Sequence, residues 1–151
     1  MDAVDLEFSR EFGVSPVVVW DALIDPELVI GWLGEARIEA KVGGRYDLVW
    51  LHSQSFPPTT GTISLLEEPR ALTVESDNRG TLRYGLVATE LGALLHVGIS
   101  VVIERAFIPR IRADWQSNLD QLEEMLRGHP VDWANWDRDR APVWQRYLRS
   151  S

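Results

Sequence analysis

The chain has 151 residues, no cysteine, and a formal net charge of −8 in which 14 Arg stand against a single Lys. A domain of this length buries a core without disulfides, and the lack of cysteine excludes a disulfide framework, a thiolate metal site and a cysteine nucleophile. The acidic balance argues against nucleic-acid backbones and anionic membranes as partners.

Residues 4–12 (VDLEFSREF) alternate, with Val4, Leu6, Phe8 and Phe12 on one face and Asp5, Glu7, Ser9 and Glu11 on the other. That is the pattern of a half-buried strand. Arg10 shares the inward parity between Phe8 and Phe12, and it is expected to reach solvent from the strand's end. In VVVWDALIDPELVIGWLG (17–34), Pro26 cannot sit inside a helix. Ser15-Pro16 and Asp25-Pro26 each read as an N-cap followed by a first helical residue, so two short apolar helices stand in tandem.

Residues 35–42 (EARIEAKV) alternate again, with Ala36, Ile38, Ala40 and Val42 inward. Gly43-Gly44 is a tight-turn signal, and RYDLVWLH (45–52) resumes the strand pattern. A loop with Pro57-Pro58 leads to GTISLLE (61–67), Glu68-Pro69 turns into RALTVES (70–76), and Asp77-Asn78-Arg79-Gly80 turns into TLRYGLVA (81–88). A long strand follows at 94–104. The period then changes: Ile111, Trp115, Leu119, Leu122 and Leu126 follow helical spacing, while Arg112, Asp114, Gln116, Asp120, Glu123 and Glu124 fall on the wet side. An antiparallel sheet with one face packed on this long helix accounts for every alternation.

These residues resemble a family. VVVWDALIDPELVIGWLG, the GGRY turn, LLEEPRALTVES and DWQSNLDQLEEMLRG together are similar to the helix-grip (Bet v 1-like, START-like, SRPBCC) superfamily, and within it to the domain shared with the activator of the Hsp90 ATPase. The likeness runs through residues 4–128. One position departs from the family pattern: Asp114-Trp115 stands where members often carry Gly-Trp.

The resemblance implies an α+β helix-grip fold. A curved antiparallel sheet of about seven strands would carry two short helices after the first strand and one long C-terminal helix packed across it. It also implies an apolar cavity between helix and sheet that holds a small hydrophobic or aromatic molecule. The tandem helices would close one end, with Trp20 in the core and Trp32 near the mouth. The domain spans 1–128, and 129–151 is a Trp-rich C-terminal extension.

The candidate ligand-binding residues are Trp32, Tyr46, Trp50, His52, Tyr84 and Trp115. Tyr46, Trp50 and Tyr84 share an inward parity and face the helix side that carries Trp115. Buried Tyr hydroxyls and a Trp indole N–H each need a polar partner, and an aromatic wall with a few polar handles is how small-molecule sites look. His52 shares the face of Tyr46 and Trp50. It reads either as a histidine at a fraying strand end or as a polar group on the cavity rim. His96 lies on the opposite parity from Leu95, Val97 and Ile99, and is expected at the surface.

No nucleophile elbow, phosphate loop, dinucleotide fingerprint or zinc-helix motif occurs. The three His are scattered, so no metal, cofactor or catalytic residue is expected. Two further readings come only by analogy with the family: a polyketide cyclase or aromatase-like enzyme, and a stress-related co-chaperone with a chaperone contact.

No apolar run approaches the ~20 residues that span a bilayer, and the opening MDAVDLEF lacks the pattern of a leader. A cytoplasmic location is therefore expected. The extension holds three of the seven tryptophans, Trp133, Trp136 and Trp144, and carries net +1 against −9 for the first 128 residues. Disordered tails are poor in aromatics, so this one is expected to dock, on its own domain or on the second copy of a homodimer. Pro142 opens its last helix, with Trp144, Tyr147 and Leu148 along one side.

Overall fold

The computed structural model describes residues 1–52 and 57–150. Strand β1 (Asp2–Phe12) is followed by helices α1 (Pro16–Ile24) and α2 (Pro26–Val29). Asp25 separates the two helices as the sequence requires, its side chain accepting the Glu27 backbone N–H at 3.0 Å while Pro26 opens α2. Strands β2 (Glu35–Ile38), β3 (Tyr46–Val49), β4 (Gly61–Glu67), β5 (Ala71–Ser76), β6 (Thr81–Ala88) and β7 (Ala93–Ile103) come next. Helix α3 (Ile108–Leu126) then crosses the sheet, and α4 (Trp136–Asp139) and α5 (Ala141–Ser150) end the chain. The loop expected ahead of Gly61 lies partly outside the described residues.

Among the described residues seven strands form, but they divide. Five make one antiparallel sheet in the order β1-β7-β6-β5-β4, and β2 and β3 pair as a separate hairpin. Single bridges, Arg45 to Thr62 and Leu48 to Thr59, tie the small hairpin to the edge of β4. Strand β2 ends at Ile38, earlier than alternation through Val42 predicts. The cause is local: the Lys41 N–H bonds the Glu39 carbonyl, and the Gly43 N–H bonds the Ile63 carbonyl. The chain therefore turns outward, and Val42 is left 65% exposed instead of inward.

The core lies between the sheet and α3. Leu6, Phe8, Leu72, Leu82, Tyr84, Leu95 and Val97 face Trp115, Leu119 and Leu122, and all are buried. His96 is exposed, as its parity predicts. Arg10 does not simply reach water from the end of β1: it donates to Asp120 at 2.8 Å and to Gln116 at 3.1 Å, which ties β1 to α3.

The extension folds back on the outer face of α3. Trp136 and Trp144 form a second buried cluster with Ala113, and Val131, Trp133, Ala141, Tyr147 and Leu148 pack against it. Hydrogen bonds to the body of the domain hold it. The Val131 N–H donates to the Gly31 carbonyl at 2.9 Å and the Trp133 indole to the Ile30 carbonyl at 2.6 Å. The Trp136 indole donates to Gln121 at 3.0 Å, the Trp144 indole to Asp114 at 2.8 Å, and the Tyr147 hydroxyl to Asp120 at 2.7 Å. Helix α3 is thus covered on a second side, which corrects the placing of Asp114 on the wet side: it is only 6% exposed, and Gln121, which also bonds the extension, 1%.

One glycine shapes the turn that carries Arg79. Gly80 has φ +70° in the turn between β5 and β6, and a Cβ there would meet the Ser100 carbonyl oxygen. Gly80→Ala is expected to cost about 2 kcal/mol and to lower the melting temperature by roughly 4–8 °C. A thermal melt followed by circular dichroism reads this directly, and an unshifted melt contradicts it.

Candidate functional site

Where the β3 end, the β5–β6 turn, the end of β7 and the start of α3 converge, they line a partly open cavity of about 330 Å³. That volume lies at the small end of the range typical of small-molecule sites, ~300–1,000 Å³. Its wall is mainly apolar, with Leu82, Ile99, Val101 and Ile103 on the sheet side and Ile111 and Trp115 on the helix side.

Three of the six residues singled out from the sequence meet here. Tyr46, Trp50 and Trp115 all line the cavity. The Tyr46 hydroxyl donates to the Leu23 carbonyl at 2.5 Å, so its polar end is occupied by α1 and only its ring faces the space. Burial raises its pKa above the ordinary phenol range. The Trp50 indole donates to Thr59 at 2.9 Å, and the Thr59 hydroxyl donates on to Asn78 at 2.8 Å. This chain fixes the Trp50 ring against the cavity.

The other three stand apart from that wall. Trp32 is fully buried behind α1, its indole donating to the Ala22 carbonyl at 2.8 Å and its own carbonyl accepting from Gln121 at 2.8 Å. Tyr84 lies deeper on β6 and meets Trp115 edge to face, ring centroids 6.2 Å apart. Its hydroxyl has no hydrogen-bond partner among the described residues. Burial, with Tyr46 adding to it, raises the Tyr84 pKa well above the phenol range. His52 sits three residues past the end of β3, only 7% exposed, its ring stacked on Trp136 at 4.8 Å. It is a contact between the sheet and the extension.

The structure adds polar residues that strand parity does not reveal. Thr59, Ser76, Asn78, Arg79 and Arg110 also reach the cavity. The Arg79 guanidinium lies 4.4 Å from the Trp50 ring centroid, and that of Arg110 lies 5.4 Å from the Trp144 ring. Their charges reach neighbouring groups. Burial first, then Arg79 and Arg110, push the His52 pKa down to about 4, so this imidazole is neutral at pH near 7. Burial pushes Asp114 up to about 6, against the opposing pull of the Trp144 hydrogen bond and the two guanidinium groups. Among the described residues no cluster of three or more His, Asp or Glu could hold a metal ion, and no helix is long and apolar enough to cross a membrane.

Solved structures share this architecture. CalU16 from Micromonospora echinospora matches with a TM-score of 0.76 at 20% identity, over 98% of this chain and 86% of its own. That coverage takes in the C-terminal extension. Protein MLL2253 from Mesorhizobium loti matches with a TM-score of 0.73 at 18% identity, over 85% of this chain and 100% of its own. Protein NE0264 from Nitrosomonas europaea matches at 0.72 and 21%, over 82% and 94%. At such identities the likeness establishes the fold alone. No curated protein matches the sequence. A family model, however, aligns with residues 13–127, from the loop ahead of α1 to the end of α3. With its helix-grip fold, the chain belongs to the Activator of Hsp90 ATPase homolog 1-like protein family.

Proposed function

We propose that this protein binds a small apolar or aromatic molecule in the cavity between α3 and the sheet. The observation that carries this reading is the cavity itself: about 330 Å³ of space walled by Tyr46, Trp50 and Trp115. A domain selected only for stability would fill such a space, because unfilled volume forfeits dispersion contacts and destabilises the core. The aromatic rings offer flat faces, and the Trp50–Thr59–Asn78 chain holds one of them in place before any ligand arrives.

Calorimetric titration with a neutral aromatic probe, naphthamide, tests the reading. One site per chain is expected, with Trp50→Ala weakening binding about ten-fold through loss of a stacking face. Val101→Trp, which fills the cavity from its half-buried side, is expected to abolish binding while the circular dichroism spectrum stays that of the folded protein. Undiminished binding by both folded variants contradicts the proposal.

A further inference from the structure

Among the described residues none of the extension lines the cavity, yet the extension meets the frame of that cavity at three points. The Trp136 ring stacks on His52 at 4.8 Å, two positions past Trp50, which forms one wall. The Trp144 ring lies 5.4 Å from the guanidinium of Arg110, itself part of the wall. The Trp144 indole donates to Asp114 at 2.8 Å, one position before Trp115, which forms another wall.

Each contact acts on a freedom that a binding wall needs fixed. The arginine side chain is rich in rotamers, and a ring face orients its guanidinium. The chain has left strand β3 after Val49, so the His52 stack steadies the segment that carries Trp50. Asp114 and Trp115 share a peptide unit, and the bond to Trp144 resists any rotation of the start of α3 that would swing the Trp115 ring. Ala113, fully buried against the same two tryptophans, brings the helix close to them. A wall held in shape before binding spares the ligand the cost of ordering it.

We propose that Trp136 and Trp144 are positioning residues for the cavity: the docked extension holds Trp50, Arg110 and Trp115 in the arrangement that takes a ligand, and its release loosens that arrangement. This rests on the reading of the cavity as a ligand site and adds what keeps the site in shape. Docking and binding are then coupled, and such coupling is reciprocal. The ligand tightens the extension by the same factor by which the extension tightens the ligand.

The test follows amide exchange over residues 129–150 of the full-length protein, without and with increasing naphthamide. Those amides are expected to slow about ten-fold and then level off, although none of these residues lines the cavity. Amides of the central strand β7, which open only with the whole domain, slow in step with the free probe. Trp144→Ala, shown to be folded by circular dichroism, is expected to bind naphthamide about ten-fold more weakly, still at one site per chain. The wild-type exchange needs no variant, so it decides even where the substitution disturbs packing. Naphthamide that binds without slowing the extension overturns the proposal and leaves the cavity reading standing. Wild-type affinity in folded Trp144→Ala also overturns it. Extension amides that slow without limit, in step with β7, do the same, because the extension then opens only with the whole domain. A probe that fails to bind removes the two readings together.

Discussion

A chain ended at Gly128 is expected to lose about 3 kcal/mol of stability and to melt roughly 6–12 °C below the full-length protein. The extension is not an arm lying on a finished surface. Trp136 and Trp144 are 2% and 3% exposed, and their indoles donate to Gln121 and Asp114 on a helix face that would otherwise be wet. Gln121 also donates to the Trp32 carbonyl, so it joins the extension to the segment after α2. Asp120 does the same toward β1, accepting from Tyr147 with one oxygen and from Arg10 with the other.

Truncation therefore loosens both partners of α3 as well as uncovering it. A buried Trp→Ala change costs ~3–5 kcal/mol where the surroundings cannot relax. Here the extension can come away as a unit, so the loss is capped at its docking free energy. Trp136→Ala, Trp144→Ala and the truncated chain are accordingly expected to melt at nearly the same temperature. The check is a set of thermal melts with amide exchange over residues 129–150. If truncation leaves the melt unchanged and those amides exchange at free-peptide rates, the docked arrangement does not contribute.

The same two tryptophans explain which parts of the molecule were legible in the sequence. Alternation in 4–12, the Asp25-Pro26 break and the change of period at Ile111 each report a local rule, and the folded chain obeys them. Helical periodicity places Asp114 on the wet side because it sorts residues by one covered face, whereas α3 has two. The signal was present in the departure from Gly-Trp at Asp114-Trp115 and in three Trp crowded past residue 128, but linking them needs the fold. Parity groups His52 with Tyr46 and Trp50, but parity holds only while a strand continues, and β3 stops at Val49. Arg79 and Arg110 lie 31 positions apart, in a turn and a first helical turn. No local rule brings a hairpin tip to the start of a helix.

The buried pair His52 and Asp114 is expected to give two pH dependences of stability that oppose each other. Asp114 titrates near 6 in the folded protein against about 3.8 unfolded, so the folded state holds its proton more tightly. Stability from this group is therefore present below pH about 4 and is lost as pH rises toward and past 6. His52 titrates near 4 folded against 6.5 unfolded, so the folded state resists its protonation. Its contribution is full above 6.5 and is lost as pH falls through that range to 4. The groups facing both are Arg79 and Arg110, with Trp144 bonded to Asp114 and Trp136 stacked on His52.

Each displacement corresponds to about 3 kcal/mol between the two pH limits. The two nearly cancel, so the wild-type curve understates both. Urea midpoints for wild type, Asp114→Asn and His52→Gln across this range separate them. Relative to wild type, Asp114→Asn is expected to gain stability as pH rises from 4 to 7, since asparagine mimics the protonated acid and keeps an acceptor for the Trp144 indole. His52→Gln is expected to gain relative to wild type as pH falls, whatever constant amount it loses from the Trp136 stack. Difference curves that run flat for both variants would mean that the two groups titrate as they do in the unfolded chain, and that the extension does not seal them from water.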